Sequence, residues 1–274
     1  MIAPPVVTRE TAAEFLDAGV RPEQWTALIP AAGRGTRLGF DRPKILFPIA
    51  GVTILEWLVD LLNPLCWRYV FVLSSEGAGP VQKETSRLLG ERCAIAVQPQ
   101  PRGMADAVQC GMPLVETPHT LIVWGDQVAL APASLDFAMR IHQGIAQPAA
   151  TVPTLWRDRP YIHFERGPNG RVRRILQARE GDSMPDRGES DSGVFLFRTE
   201  SLRSALPCLL KSEGCIGKQT AELNFLPIFP VLDREPGQLI TLPIMSEAES
   251  VGVNSHADAR YLEQHLGARR SSTK

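Results

Sequence analysis

The chain has 274 residues, of which 44% are hydrophobic, and a formal net charge of −1. This composition supports a sizeable core and argues against disorder, and the charge gives no reason to expect nucleic acid or an anionic membrane as a partner. The five cysteines lack Cys-x-x-Cys spacing and no signal peptide or membrane-spanning apolar run is apparent, so we expect reduced thiols in a cytoplasmic protein.

The first half of the chain alternates between strand and helix patterns. Residues 1–25 are predicted to form an N-terminal extension with one short helix over 11–18. Strands are then predicted at 26–31, 69–73, 94–97 and 119–124, and helices at 53–64, 80–89, 103–114 and 132–144. Strands that alternate with helices in this way are typical of an α/β fold with a doubly wound, mostly parallel sheet.

The second half is richer in strand patterns and turn signals. Further strands are predicted at 149–155, 161–165, 172–177, 193–197 and 238–242, and further helices at 199–209, 219–227 and 255–266. We interpret these strands as a small β-rich part inserted into the α/β fold. Residues 26–266 would then form one domain, followed by a flexible tail over 267–274.

A glycine-containing loop follows the first predicted strand. The segment 27–44 reads ALIPAAGRGTRLGFDRPK, with Gly33 and Gly35 in the loop and Arg37 and Lys44 after it. Glycines let the backbone approach a ligand closely and turn its amides toward an anion, and the cations supply charge. Because α/β sheets present phosphate sites in loops beyond the carboxyl ends of their strands, we predict a polyphosphate-binding loop.

Two other glycine loops and a plain turn are alternatives for this segment. A dinucleotide fingerprint requires glycine or alanine where Leu38 stands, and no acidic residue obviously serves a ribose about twenty residues further on. A Walker loop requires Gly-x-x-x-x-Gly-Lys-Ser/Thr, which does not follow Gly33 or Gly35. An irregular surface turn remains open on composition alone.

The string AAGRGTRL over 31–38, followed by Pro43 and Lys44, resembles the signature of nucleotidyltransferases that activate sugar 1-phosphates. The likeness is strongest to the uridylyltransferase domain of N-acetylglucosamine-1-phosphate uridylyltransferases, and the seven-residue spacing from Arg37 to Lys44 also fits. The resemblance implies a Rossmann-like nucleotidyltransferase fold, Mg²⁺ as cofactor, and Arg37 and Lys44 as catalytic residues. It assigns the following residues to nucleotide binding: Ala31, Ala32, Gly33, Gly35 and Thr36.

A metal site is predicted where the strand before Trp124 ends. Gly125 and Asp126 follow that strand, which places a carboxylate at the ligand-binding edge of the sheet. Magnesium takes few protein ligands and completes its shell with water and phosphate oxygens. Asn254 resembles the family's second metal ligand, although by itself it is more typical of a helix N-cap or a turn.

The base-reading segment resembles the family's Gln…Gly-Thr-Ala stretch at Gln98 and Gly103. An amide side chain has both a donor and an acceptor, so it can pair with a base edge that presents both, as uracil and thymine do. Without the resemblance, Gln98 is an ordinary polar residue at a strand end. Asp106 could contact ribose or metal-bound water. An acid in the first turn of a helix more often interacts favourably with the helix dipole, so Asp106 is not assigned to the site.

The resemblance is weaker in the acceptor pocket, where it implies roles for Gly125, Gln177 and Asp191. Gln177 stands where the family has a glutamate, and Asp191, which could equally be a turn residue before a strand, stands where it has an asparagine. The family's Tyr-Gly pair is also missing from the stretch that begins at Tyr161. These changes argue against N-acetylglucosamine 1-phosphate and leave open another sugar, a cyclitol phosphate or a phosphonate.

The sequence therefore predicts transfer of a nucleotide from a nucleoside triphosphate, with UTP or dTTP favoured, to a small phosphorylated metabolite, releasing pyrophosphate. Cytidylyl or guanylyl transfer to a non-sugar phosphate is an alternative, and a homo-oligomer is left open. A catalytically silent regulatory subunit is a further alternative, but such proteins usually lose groups equivalent to Arg37, Lys44 or Asp126. The family's hexapeptide-repeat acetyltransferase domain has no counterpart in this sequence, so acetyl transfer is not expected.

Overall fold

The computed structural model describes residues 19–144, 148–235 and 237–271, with side chains described as far as residue 266. The helix predicted over 11–18 and most of the predicted N-terminal extension therefore lie outside the described residues. Within the described ranges, no helix is long and apolar enough to cross a bilayer.

The strands and helices of this part of the chain follow one another closely. The strands are β1 (Trp25–Pro30), β2 (Pro48–Ile49), β3 (Val52–Thr53), β4 (Arg68–Ser74), β5 (Cys93–Gln98), β6 (His119–Val123), β7 (Ala150–Asp158), β8 (Ile162–Arg166), β9 (Val172–Gln177), β10 (Arg187–Asp191), β11 (Val194–Arg198) and β12 (Leu239–Leu242). The α-helices are α1 (Ile54–Leu62), α2 (Ala78–Leu89), α3 (Met104–Gly111), α4 (Pro132–Gly144), α5 (Thr199–Leu210), α6 (Ile228–Leu232) and α7 (His256–Ser271).

An eight-stranded sheet runs through the molecule in the order β10-β7-β11-β6-β1-β4-β5, with β12 paired to β7. Strands β6, β1, β4 and β5 are mutually parallel, whereas β11 is antiparallel to β6 and β7. Every residue of β1 is buried, as expected for a central strand covered on both faces. The predicted doubly wound, mostly parallel α/β sheet is confirmed.

Two apolar clusters cover the two faces of this sheet. Ala27 and Ile29 belong to one cluster together with residues of α1, α2, α4 and α7. Leu28, whose side chain points to the opposite face, belongs to the other cluster with residues of α3, α5 and α6. Alternate residues of β1 thus pack against helices on opposite faces of the sheet. Because both faces are covered, a ligand can approach the sheet at the ends of its strands.

The helices and strands of the first half lie at their predicted positions, with shifts of a few residues at the ends. A local signal is visible at the start of α1, where Thr53 and Glu56 form reciprocal capping hydrogen bonds. In the second half, the small β-rich part contains the antiparallel hairpin β8–β9 and strand β10, which pairs with the outer part of β7.

Two predictions in the second half were wrong. Strand β10 was missed, because its sequence, RGESD, has no apolar alternation and is extended only through pairing with β7. The helix predicted over 219–227 does not form, and α6 begins after it, at Ile228. The Glu180 carboxylate instead accepts hydrogen bonds from the amides of Gln219 and Thr220, which fixes those residues in a turn.

Candidate active site

A cavity of about 520 Å³ opens at the carboxyl ends of β1, β5 and β6. Residues directly after these strands form one wall, and residues from β8, β9 and β10 form the facing wall. Ligands of open α/β sheets bind outside the carboxyl ends of the strands. The cavity therefore lies where the fold is expected to hold a substrate.

The loop after β1 returns to the cavity at Lys44. The Lys44 backbone amide donates to the Gly33 carbonyl (3.1 Å), and Arg34 forms a bridge with Pro43. A Cβ atom on Gly33 would lie 3.9 Å from the Lys44 Cδ, so the lysine stem runs across the glycine. This turn brings the Lys44 ammonium to the cavity wall.

The Lys44 ammonium lies between two oxygen atoms. It donates to Asp126 Oδ2 at 2.6 Å and to Asn254 Oδ1 at 2.9 Å. The side chains of Lys44 and Asp126 are 18% and 21% exposed. The segment that carries Asn254 is fixed by a backbone bond from the Val253 amide to the Asp126 carbonyl (3.1 Å).

The oxygens of Asp126 and Asn254 therefore converge on one point, and both are hard donors that suit Mg²⁺. No group of three or more His, Cys, Asp or Glu side chains that could hold a metal ion occurs within the described residues. Two protein oxygens fit a magnesium ion whose remaining ligands are water and phosphate, and they would not fit a zinc centre.

Gln98, at the end of β5, is buried and its amide is held by the protein. Its Nε2 donates to the Gly103 carbonyl (3.0 Å) and to Asp106 Oδ2 (2.8 Å), and Arg102 pairs with Asp106 at 2.5 Å. Both amide hydrogens are thereby used, and Oε1 remains as the acceptor. Asp106 was interpreted from the sequence as an acid that interacts with the helix dipole, whereas in the structure its carboxylate accepts hydrogen bonds from Gln98 and Arg102.

Gly103 and Gly125 line the cavity at points where only glycine fits. Gly103 has φ of +114°, and a Cβ atom there would lie 2.6 Å from the Leu223 amide nitrogen. A Cβ atom on Gly125 would lie 2.8 Å from the Pro30 carbonyl oxygen. Both positions bring backbone atoms close to the cavity wall.

Gln177 and Asp191 line the same cavity on the side of β9 and β10. Burial raises the pKa of Asp191 to about 6, although a hydrogen bond from the Gly193 amide and the charge of Arg157 lower it in part. The Gln177 side chain is buried and forms no hydrogen bond among the described residues.

The structure brings most of the predicted site residues to this cavity. The members of the lining are Ala31, Ala32, Gly33, Lys44, Gln98, Gly103, Gly125, Asp126, Gln177, Asp191 and Asn254. Gly35, Thr36 and Arg37 are outside the lining. Gly35 forms the turn of the loop, since a Cβ atom there would lie 2.8 Å from Phe40, and Arg37 is exposed. Contact of these three residues with a triphosphate remains a prediction.

Sequence reasoning missed an arginine on the facing wall, Arg179. It pairs with Glu222 (2.6 Å) and Glu180 (3.1 Å). Burial by itself would raise the pKa of Glu180, but hydrogen bonds from Gln219, Thr220 and Arg179 outweigh it and lower this pKa to about 2. Arg179 and Glu180 are adjacent in the chain, but Glu222 lies 43 positions after Arg179, so no local motif in the sequence indicates this cluster.

The chain is similar in sequence to known NTP transferases. The profile of a family described as "MobA-like NTP transferase domain" matches residues 27–192. The bifunctional protein GlmU of Gloeobacter violaceus is 30% identical over 187 residues, which are 67% of this chain and 40% of that protein. GlmU of Carboxydothermus hydrogenoformans is 28% identical over 249 residues, 89% of this chain and 53% of that protein. The chain spans about half the length of the curated relatives it matches.

Solved structures with the same fold include two nucleotidyltransferases. One is a nucleotidyl transferase of Methanothermobacter, with a TM-score of 0.57, 21% identity and coverage of 90% of this chain and 99% of that one. The other, from Bacillus anthracis, is described as a glucose-1-phosphate thymidylyltransferase and was solved with sucrose. Its TM-score is 0.66 at 16% identity, over 88% of this chain and 95% of that one. At these identities the likeness shows the fold alone.

Proposed function

The chain belongs to the family of MobA-like NTP transferase domains, and we propose that it transfers a nucleotidyl group from UTP or dTTP to a sugar 1-phosphate or a similar small phosphorylated acceptor. Pyrophosphate is the second product. The observation that carries this proposal is the convergence of Lys44, Asp126 and Asn254 at one point of the cavity.

The reaction brings two anions together, and charge repulsion is its first obstacle. Two unit charges about 4 Å apart repel by about 1 kcal/mol in water and about 4 kcal/mol near a protein surface. An acceptor phosphate oxygen attacks the α-phosphorus and the bond to pyrophosphate breaks. Because this oxygen is already anionic, the site needs cationic groups and no general base.

Asp126 and Asn254 would hold Mg²⁺, which supplies charge neutralisation for the phosphate oxygens when it is bound. A divalent cation bound to Asp126 and Asn254 would compete with the Lys44 ammonium for their oxygens. We therefore expect the Lys44 ammonium to move from Asp126 to phosphate oxygens of the nucleotide when the substrate complex forms.

The state of Gln98 supports a base with a central N–H group. Both amide hydrogens of Gln98 are used within the protein, so only Oε1 can contact the base. Uracil and thymine present N3–H at the centre of the pairing edge, whereas cytosine presents an acceptor there. This favours UTP or dTTP over CTP.

Guanylyl transfer is a second candidate, because guanine also presents an N–H group at the centre of its pairing edge. The two candidates differ in the nucleotide consumed, so one assay separates them.

The test is pyrophosphate release, measured with UTP, dTTP, CTP, GTP and ATP in turn, in the presence of Mg²⁺. Each triphosphate is combined with glucose 1-phosphate, N-acetylglucosamine 1-phosphate, an inositol phosphate and a phosphonate. We expect pyrophosphate release with UTP or dTTP, and only when an acceptor is also present. If nucleotides bind but no combination of triphosphate and acceptor releases pyrophosphate, the result contradicts the proposal and favours a silent regulatory subunit.

A further inference from the structure

Gln127, the residue after Asp126, has a buried oxygen atom that nothing satisfies. The residue is 6% exposed, and its Oε1 has no hydrogen-bond partner among the described residues. Buried polar atoms are paired in nearly all native proteins, so an unpaired one calls for an explanation. Since Gln127 lines the cavity, a bound ligand can supply the missing donor.

We call the part of the cavity lined by Gln177 and Asp191 the acceptor half, and Gln127 belongs to it. A Cβ atom on Gly193 would lie 2.8 Å from both Cγ and Nε2 of Gln127, so the amide packs directly against this glycine. Gly193 has φ of +75° and ends the turn that begins at Asp191. Gln127 therefore lies beside the turn that carries Asp191.

Arg157, near the end of β7, is a cation with donors to spare. Its side chain is 29% exposed and lines the cavity. Its guanidinium forms an ion pair with the carboxylate of Glu247, which is itself 78% exposed, and the distance of 3.7 Å is longer than a hydrogen bond. The positive charge of Arg157 lowers the pKa of Asp191 in part, and both residues line the cavity.

The other cations of the described lining are already engaged. Lys44 is bonded to Asp126 and Asn254, and Arg179 is bonded to Glu180 and Glu222. A guanidinium carries five N–H donors in a planar fork that matches a phosphate group. Arg157 is therefore the cation of this lining whose hydrogen-bonding capacity the protein leaves unused.

We infer that Arg157 binds the phosphate of the acceptor and that Gln127 Oε1 accepts a hydrogen bond from a hydroxyl or amino group on the acceptor's carbon skeleton. This inference rests on the proposed function and assigns two specificity-determining residues to it. The acceptor is then a phosphorylated compound with a hydrogen-bond donor on its skeleton. A simple alkyl phosphate would leave Gln127 unpaired.

Binding is measured first, by calorimetry on the full chain saturated with Mg²⁺ and a non-hydrolysable UTP analogue, so that the triphosphate site is filled. The probes are inorganic phosphate and the acceptor that supports pyrophosphate release, or glucose 1-phosphate if none does. We expect Arg157→Gln to weaken binding of both probes by about 10–100-fold, as for a charged hydrogen bond. Gln127→Leu is expected to weaken the organic phosphate by about 3–10-fold and to leave inorganic phosphate unchanged.

Steady-state kinetics then divides the effect between the two substrates. We expect the acceptor KM to rise in both variants while the nucleotide KM stays within about twofold of wild type, since the inference assigns both residues to the acceptor. Arg159→Gln and Gln109→Leu, which change exposed residues near Arg157 and on α3, are the matched controls. Gln127→Asn, which keeps an uncharged amide oxygen, should retain more acceptor binding than Gln127→Leu, and the thermal midpoint of each variant shows that it folds.

Several outcomes would overturn the inference. These are failure of both probes to bind the nucleotide-loaded wild type, equal loss of both probes in Gln127→Leu, and unchanged phosphate binding in Arg157→Gln. If the wild type binds the probes as expected but releases no pyrophosphate with any pair, the proposed function fails and the assignment of the two residues stands. An active wild type with unchanged variants overturns the assignment alone.

Discussion

The two halves of the cavity differ in how their polar groups are satisfied. In the nucleotide half, Lys44 is bonded to Asp126 and Asn254, and Gln98 is bonded to Asp106 and the Gly103 carbonyl. In the proposed acceptor half, Gln127 Oε1 has no hydrogen-bond partner among the described residues, and the Arg157 guanidinium forms a 3.7 Å ion pair with the exposed Glu247. The protein thus orders the first set by itself and leaves the second set to a ligand. A change in the first half should affect catalysis with any acceptor, whereas a change in the second should affect acceptor choice.

The largest effect is expected from Asp126→Ala. Loss of the one carboxylate at the convergence point removes a metal ligand and should lower kcat by about 10³-fold, as for other charge-stabilising groups. The measurement is pyrophosphate release with saturating substrates. Asp136→Ala, which breaks a helical ion pair with Arg140 outside the cavity, is the control. Full activity of Asp126→Ala with an unchanged thermal midpoint would refute the metal role.

A second, two-sided effect is expected from Lys44→Met. Turnover should fall by about 10²-fold, because the triphosphate loses a cation. The nucleotide-free variant should bind Mn²⁺ about 10-fold more tightly than wild type, since the ammonium no longer competes for Asp126 and Asn254. Electron paramagnetic resonance of free Mn²⁺ measures this affinity. The control is Lys83→Met, on the exposed face of α2, which should leave turnover and Mn²⁺ affinity unchanged. Weaker Mn²⁺ binding in Lys44→Met would contradict the competition between the ammonium and the metal ion for Asp126 and Asn254.

Asp106→Ala should relax the choice of base. The change frees one amide hydrogen of Gln98, which can then turn and donate to a base as well as accept. We expect the ratio of kcat/KM for the preferred triphosphate to that for CTP to fall by about 5–10-fold, the value of one neutral hydrogen bond. Asp106→Asn, which keeps an acceptor oxygen, should retain more of the preference. An unchanged ratio in Asp106→Ala would mean that Gln98 does not read the base.

The smallest effect concerns stability in the acceptor half. Burial raises the pKa of Asp191 to about 6, so the native state holds this proton at pH values where the unfolded chain has lost it. The contribution of Asp191 to stability is thus most favourable in acid and falls as the pH rises to 6. Asp191→Asn should therefore be more stable than wild type at pH 8, by about 1 kcal/mol, and nearly equal to it at pH 4.

Urea denaturation at the two pH values measures this difference. The matched change in the nucleotide half, Asp126→Asn, removes a carboxylate that is paired with Lys44, so it should not stabilise the protein at pH 8. Equal effects of the two substitutions would contradict the distinction between an ordered half and an unsatisfied half.

Parts of this protein follow from local sequence alone. Strand β1 and helix α1 lie where their apolar patterns predict them, because burial of one strand or one helical face has a period that the sequence displays. The position of Asp126 follows too, since a strand that ends in Gly-Asp must deliver the carboxylate to the edge of the sheet. The prediction of a phosphate loop rested on the same reasoning, and the structure brings its last cation, Lys44, to the cavity.

Other parts were decided only by tertiary structure. Lys44 meets Asp126 across 82 positions of the chain and Asn254 across 210, and the Glu180 carboxylate reaches 40 positions ahead to replace a predicted helix with a turn. No local pattern encodes such pairs, because a side-chain hydrogen bond depends on the distance between segments in the folded chain and not on their periodicity. For the same reason, the unpaired Gln127 oxygen and the single long ion pair of Arg157 with Glu247 are visible only among the residues whose positions the structure describes.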